Sequence, residues 1–244
     1  MKKNPTLFAY PRGFTLVELL VIIVIVATLA AVSFTVGPKM MKRGDAAKSV
    51  QNMRQIGSLV ATYAVDNSNR LPAPRADVPN GSGGYTQLHW HETLLALSYP
   101  DVEPSKLLDT QWWLDNKPFL RNPLCTEKTK PWPWASWNPG YAMNLQIAEQ
   151  LGKSSGDWNA GKGGPQAFGT PLSSISDTGR TPLIAPRGDW HYTYTPAQIR
   201  DKDLQEFLVD GKMPILFVDG HVESMRLEEY IERNLYLAPT FKSK

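Results

Sequence analysis

Glu18 is the one charged residue in the otherwise apolar run 16–36. At the centre of a bilayer a carboxylate costs roughly 2.5–3.5 kcal/mol even on the lenient insertion scale, so it is expected to find a partner there. The other side chains with reactive chemistry are scattered. His89 and His91 flank Trp90 and would place two imidazoles on one face of an extended segment, the start of a metal site without a third ligand at recognisable spacing. Asp189, Asp210 and Asp219 offer carboxylate oxygens late in the chain. A calcium site needs about 6–8 oxygen ligands, and no dense acidic loop gathers them. Asp219 reads better as a turn residue. Cys125 is the only cysteine, which excludes an internal disulfide, and no histidine is marked as its catalytic partner. The sequence has no Gly-x-Ser-x-Gly elbow, phosphate loop, zinc-protease helix or nucleotide fingerprint. A non-enzymatic protein is expected.

The elements that must position Glu18 begin with the apolar run itself. About 20 such residues suffice to cross the hydrocarbon core as a helix. The preceding segment, residues 1–13, is polar, carrying Lys2, Lys3 and Arg12 and no acid. Lys39, Lys42 and Arg43 flank the far end, so the positive-inside bias is nearly balanced and gives no orientation. Three readings of this N-terminus stand: a signal peptide removed near Ala31 or Ser33, an uncleaved anchor, or a leader cut before the apolar run. The formal net charge is +3, and Lys2, Lys3 and Arg12 account for all of it. Without them bases and acids balance, and no basic stripe interleaved with aromatics suggests nucleic acid as a partner.

Beyond the run, Ala46, Val50, Met53, Gly57, Val60 and Ala64 recur at helical spacing, which predicts an amphipathic helical half over residues 37–66. Gly37-Pro38 is expected to interrupt it near its start. Asp66-Asn67-Ser68-Asn69, with Pro72 and Pro74 beyond, should end it. Residues 67–244 are long enough for one domain with its own core. Within them residues 214–218 and 221–225 read as two strands joined by Asp219-Gly220, a hairpin in which both turn residues accept positive φ. Residues 181–185 form a third strand, at an edge or with Pro182 at its start. Residues 227–235 read as a short terminal helix. The fold class is α+β: a long N-terminal helix against a small antiparallel sheet in a loop-rich head.

Gly13-Phe14-Thr15-Leu16-Val17-Glu18 resembles the processing site of type IV pilins and type II secretion pseudopilins. The resemblance covers about the first 35 residues. It implies cleavage between Gly13 and Phe14 by a prepilin peptidase, N-methylation of Phe14, and a Glu18 that pairs with the amino terminus of a neighbouring subunit during assembly. Such a pairing neutralises two charges that lipid solvates badly. The leader is then residues 1–13, the membrane helix residues 14–36, its extracytoplasmic half residues 37–66 and the pilin-like head residues 67–244. The implied partners are the peptidase, other pilin-like subunits and an inner-membrane assembly platform. The implied location is the inner membrane, single-pass with a periplasmic head, and then the filament. Secretion pseudopilins of the major type often bind calcium near their C-terminal loops, which makes Asp210 and Asp219 the candidates here; no other cofactor is implied.

Residues 47–57, Tyr63 to Asn67, Tyr141-Ala142-Met143-Asn144 and the hairpin also resemble a pseudopilin-like family of environmental bacteria. Its members often carry a His, nine residues and Asp-Gly toward the end. Counting back from Asp219 reaches Val209, so that signature is incomplete, and His191 is the candidate for the equivalent place. The eight tryptophans are the remaining feature. Trp112, Trp113, Trp132, Trp134 and Trp137 crowd one Pro-rich stretch, where large rings can staple loops together. The rival reading is a membrane-anchored periplasmic binding protein whose tryptophan-rich head takes a glycan.

Overall fold

The computed structural model describes residues 14–79, 85–102, 118–125, 140–144, 147, 168–187, 191–192, 202–205 and 207–235. These fall into two compact units, one ending at Lys42 and the other starting at Arg43. Helix α1, Leu16–Asp66, contributes to both. Pro38 lies inside it, so the expected interruption at Gly37-Pro38 does not occur. Proline removes one helical donor and crowds the carbonyl a turn back. At an exposed position with regular turns on either side, that defect is tolerated rather than terminating.

In the second unit the buried face of α1 is Ser49, Asn52, Met53, Ile56, Gly57, Val60, Tyr63 and Ala64. Met53, Gly57, Val60 and Ala64 are predicted positions, whereas Ala46 and Val50 are only half-buried and Ser49, Asn52, Ile56 and Tyr63 complete the stripe. The helix ends where the turn cluster stands. Ser68 and Asn69 take φ of 56° and 59°, and the Asn69 N–H returns to the Ala64 carbonyl at 2.8 Å. Left-handed residues of this kind close a helix by satisfying its last carbonyls.

The short strands are β1 (Arg70–Pro72), β2 (Arg75–Pro79) and β3 (Tyr85–His89), followed by α2 (Trp90–Ser98). Next come β4 (Tyr141–Asn144), β5 (Phe168–Pro171), β6 (Pro182–Pro186), β7 (His191–Tyr192), β8 (Lys212–Phe217), β9 (Val222–Arg226) and a last helix, α3 (Leu227–Glu232). β1 pairs with β5 and β2 with β3, both antiparallel. The main sheet has the order β7-β4-β6-β8-β9, antiparallel except for the parallel β4–β7 pair. The architecture is α+β, a long N-terminal helix with small, mainly antiparallel sheets.

Strand alternation divides the core in two. Tyr141, Met143, Ile184 and Leu216 join the cluster containing Met53, Ile56 and Val60 of α1. Their neighbours Ala142, Ala185, Ile215 and Phe217 join Met225, Leu227 and Tyr230 beside α3. The sheet is therefore covered on both faces, which is why β8 reads as a continuous apolar run. β6 is central rather than an edge strand. Its prolines sit at its two ends, and a register shift separates Pro182 from Ile184, so the donor missing at Pro182 falls where the ladder is already broken.

Polar groups also cross this interface. The Ser49 and Tyr141 hydroxyls lie 3.1 Å apart, and Asn52 Nδ2 donates to the Arg121 carbonyl at 3.0 Å. Burial pushes the Tyr141 phenol up to about 12, although the Ser49 and Asn52 hydrogen bonds pull the other way. Gly140, just before β4, has φ +74°, and a Cβ there would stand 2.6 Å from Cys125 Cβ and 2.9 Å from Asn122 Cβ. Left-handed strain and overpacking act together at such a site. Gly140→Ala is expected to cost about 2 kcal/mol or more. A denaturant midpoint unchanged from the parent would show this packing account to be wrong.

The hairpin lies where the sequence places it, but with a different turn. Phe217 accepts from the Gly220 N–H at 3.0 Å and donates to the His221 carbonyl at 2.9 Å, leaving Val218-Asp219-Gly220 as a three-residue loop. Only Gly220 has positive φ, at 91°. This is the type I turn followed by a glycine bulge, and Asp219 needs no left-handed conformation. The two-residue turn with both residues left-handed occurs instead at Asp210-Gly211, with φ of 51° and 74°. It is closed by reciprocal Val209–Lys212 bonds of 2.9 and 3.0 Å.

Candidate processing and assembly site

In the first unit, α1 begins at Leu16 with Thr15 as the residue before its first turn. The Glu18 carboxylate reaches back to accept from the Thr15 N–H at 2.8 Å and from the Thr15 hydroxyl at 2.8 Å. The Glu18 N–H in turn donates to Thr15 Oγ1 at 3.2 Å. Thr-x-x-Glu with these reciprocal bonds is a capping box, which satisfies amide donors that a helix start otherwise leaves open. The charge also sits at the positive end of the helix dipole. Glu18 therefore has a local partner within its own chain, a role the sequence reading did not assign to Thr15. The Thr-x-x-Glu spacing was the available signal.

Downstream, two hydroxyls of the apolar run bond back to the helix. Thr28 Oγ1 donates to the Ile25 carbonyl and Ser33 Oγ to the Leu29 carbonyl, each at 2.8 Å. Hydroxyls bonded back to the helix this way suit a segment without water around it. Nearly every side chain from 14 to 34 is exposed in the isolated chain, Phe14 to 71%. So wide an apolar surface calls for lipid or other helices. By length and composition α1 is long and apolar enough to cross a membrane.

Residues 10–34 match the family model described as the prokaryotic N-terminal methylation motif. The chain carries a prepilin-type N-terminal methylation motif. That motif spans the capping box and most of the apolar run, and it ends well before the sheet-bearing unit. Together with the apolar helix it points to a membrane-anchored, pilin-like protein processed by a prepilin peptidase. No curated protein and no solved structure matches the chain. Gly13 lies outside the described residues, whereas Phe14, Thr15 and Glu18 lie within them.

The remaining candidates that are described belong to the second unit. His89 and His91 do not lie on one extended strand. His89 ends β3, while Trp90 and His91 open α2, because the Glu92 carboxylate takes the His89 N–H at 2.7 Å and lies 3.0 Å from His89 Nδ1. The two imidazoles nonetheless stack, with centroids 5.8 Å apart. Burial drives His91 down to about 4, with the Glu92 charge opposing and His89 reinforcing the shift. Burial alone would raise the Glu92 carboxyl, but the His89 hydrogen bond and the nearby His91 outweigh it and hold Glu92 below its ordinary value.

Asp210 pairs with Arg43 at 2.8 Å, both well exposed, a contact of modest worth. Asp219 Oδ1 accepts from the His221 N–H at 3.1 Å and lies 2.6 Å from His221 Nδ1. Among the described residues no three His, Cys, Asp or Glu side chains are grouped to hold a metal. Cys125 is buried beside Leu124 and Phe207. His191 opens β7 opposite Met143, and Val209 belongs to the Asp210 turn. Trp90 is a core residue. Asp189, Trp112, Trp113, Trp132, Trp134, Trp137, Trp158 and Trp190 lie outside the described residues.

Proposed function

We propose that this chain is a prepilin-like structural subunit of a type IV pilus or type II secretion pseudopilus. The carrying observation is the methylation motif over residues 10–34, in register with a helix start that presents Glu18. In this reading a prepilin peptidase cuts Gly13–Phe14 on the cytoplasmic side and methylates the Phe14 amine. The head lies in the periplasm, and an inner-membrane platform draws α1 out into a bundle of like subunits. Glu18 then exchanges its Thr15 contacts for the amino terminus of a neighbour. That exchange is favourable because the local bonds are neutral on the donor side, whereas the amine is charged. The chain performs no chemistry of its own and needs no cofactor in this role.

Intact-mass measurement of the mature protein is the direct test. A chain starting at Phe14 with one added methyl group is expected. A chain starting at Met1, or beyond Ser33, would remove the basis for the assignment.

A further inference from the structure

An apolar groove of about 270 Å³ opens in the second unit, walled by Val60, Ala61 and Ala64 of α1 and by Leu71, Leu183 and Phe217. Thr178, Asp219 and Gly220 also line it. Two carboxylates converge beside Thr178. A Cβ on Gly179 would stand 3.2 Å from Asp219 Oδ2 and 3.8 Å from Asp177 Oδ1. Asp219 turns its other oxygen, Oδ1, toward His221. Asp177 Oδ1 also accepts from the Arg180 N–H at 3.1 Å, which leaves its charge in place. An apolar slot with paired carboxylates over a glycine fits a flexible apolar side chain followed by a cation.

The chain itself presents that combination. Beyond residue 36, the large apolar side chains left exposed among the described residues are Met40, Met41 and Val65. Val65 precedes Asp66 and would bring a third carboxylate to the mouth, whereas Met41, 74% exposed, precedes Lys42. Charge therefore selects between them. We propose that a second copy of this chain seats Met41 in the groove and sets Lys42 between Asp177 and Asp219. The inference rests on the filament reading above and deepens it. Knob and socket are different surfaces, so the contact is heterologous and can repeat without closing, as a filament requires.

The experiment places the photo-reactive residue benzoylphenylalanine at Ala61, an exposed position on the groove wall, in full-length protein assembled into filaments. Filaments are mixed from isotopically light and heavy chains, irradiated, and mapped by mass spectrometry. Adducts joining residue 61 of one copy to residues 40–42 of another are expected. Gly179→Leu, which fills the space between the carboxylates without altering charge, should abolish those adducts while leaving N-terminal processing intact. Lys42→Glu should lose them too. Filaments whose adducts map elsewhere, fall within one copy, or survive Gly179→Leu overturn the contact and leave the filament reading standing. A parent chain that is never cleaved at Phe14 and never appears in filaments overturns both.

Discussion

Glu18→Ala is expected to insert and to be cleaved at Phe14 like the parent, and then to be missing from filaments. The structure separates two things the substitution removes. One is the capping box, since Thr15 loses the acceptor for its N–H and hydroxyl at 2.8 Å each. The Thr15 hydroxyl can still accept from the N–H of residue 18, so losing the carboxylate half of the box frays the first turn without preventing a long apolar helix from crossing the bilayer. The other is the charge, which cannot be recovered locally. Glu18→Gln divides these contributions, because glutamine serves in a capping box but carries no charge to meet an amine. Filament yield should fall for both variants, with cleavage unaffected in both. Normal filaments from Glu18→Gln would assign the residue to helix capping alone.

A pronounced acid sensitivity of the folded second unit is the other large expected effect. His91 is fully buried and held down to about 4 in the native state, mainly because burial penalises the imidazolium. An unfolded histidine takes up its proton near 6.5. Between those values the unfolded chain binds a proton that the native chain refuses, so stability falls as pH drops. The loss by pH 4 is about 3 kcal/mol. Glu92 acts in the same direction at lower pH. Its folded carboxyl is held below the usual value, so its contribution is present above the ordinary carboxylate range and lost as pH falls through the folded one. Denaturation of the full chain in detergent, followed by tryptophan fluorescence, should show a midpoint that drops steadily from pH 7 to 4.5. In His91→Phe the slope over that interval should flatten. A parent midpoint that does not move over that range would mean His91 is readily protonated in the fold.

Contiguous features were legible without coordinates. The apolar run, the lone Glu18, the buried stripe of α1 and the stop at Asp66-Asn67-Ser68-Asn69 all depend on neighbours within one turn or two. Local stereochemistry and the membrane's thickness set them, so a linear pattern carries them. Asp219-Gly220 marked a turn for the same reason. Yet the dipeptide alone did not say which turn: Asp210-Gly211 is left-handed at both residues, whereas at Asp219 only the following glycine is. Strand pairing decides that, because the loop must match the register of the two strands it joins.

Only the tertiary structure put Pro182 and Pro186 at the ends of a central strand, withdrew His91 into the core beside a helix cap, and brought Asp177 and Asp219 together over Gly179. Each of these depends on residues distant in sequence that pack against one another. Burial and charge proximity are properties of what lies across the interface, not of the segment itself. The start of α1 could thus be read as a prepilin-type methylation motif from order alone. The groove that would receive a neighbour exists only once α1, the 177–180 turn and the β8–β9 loop have been folded together.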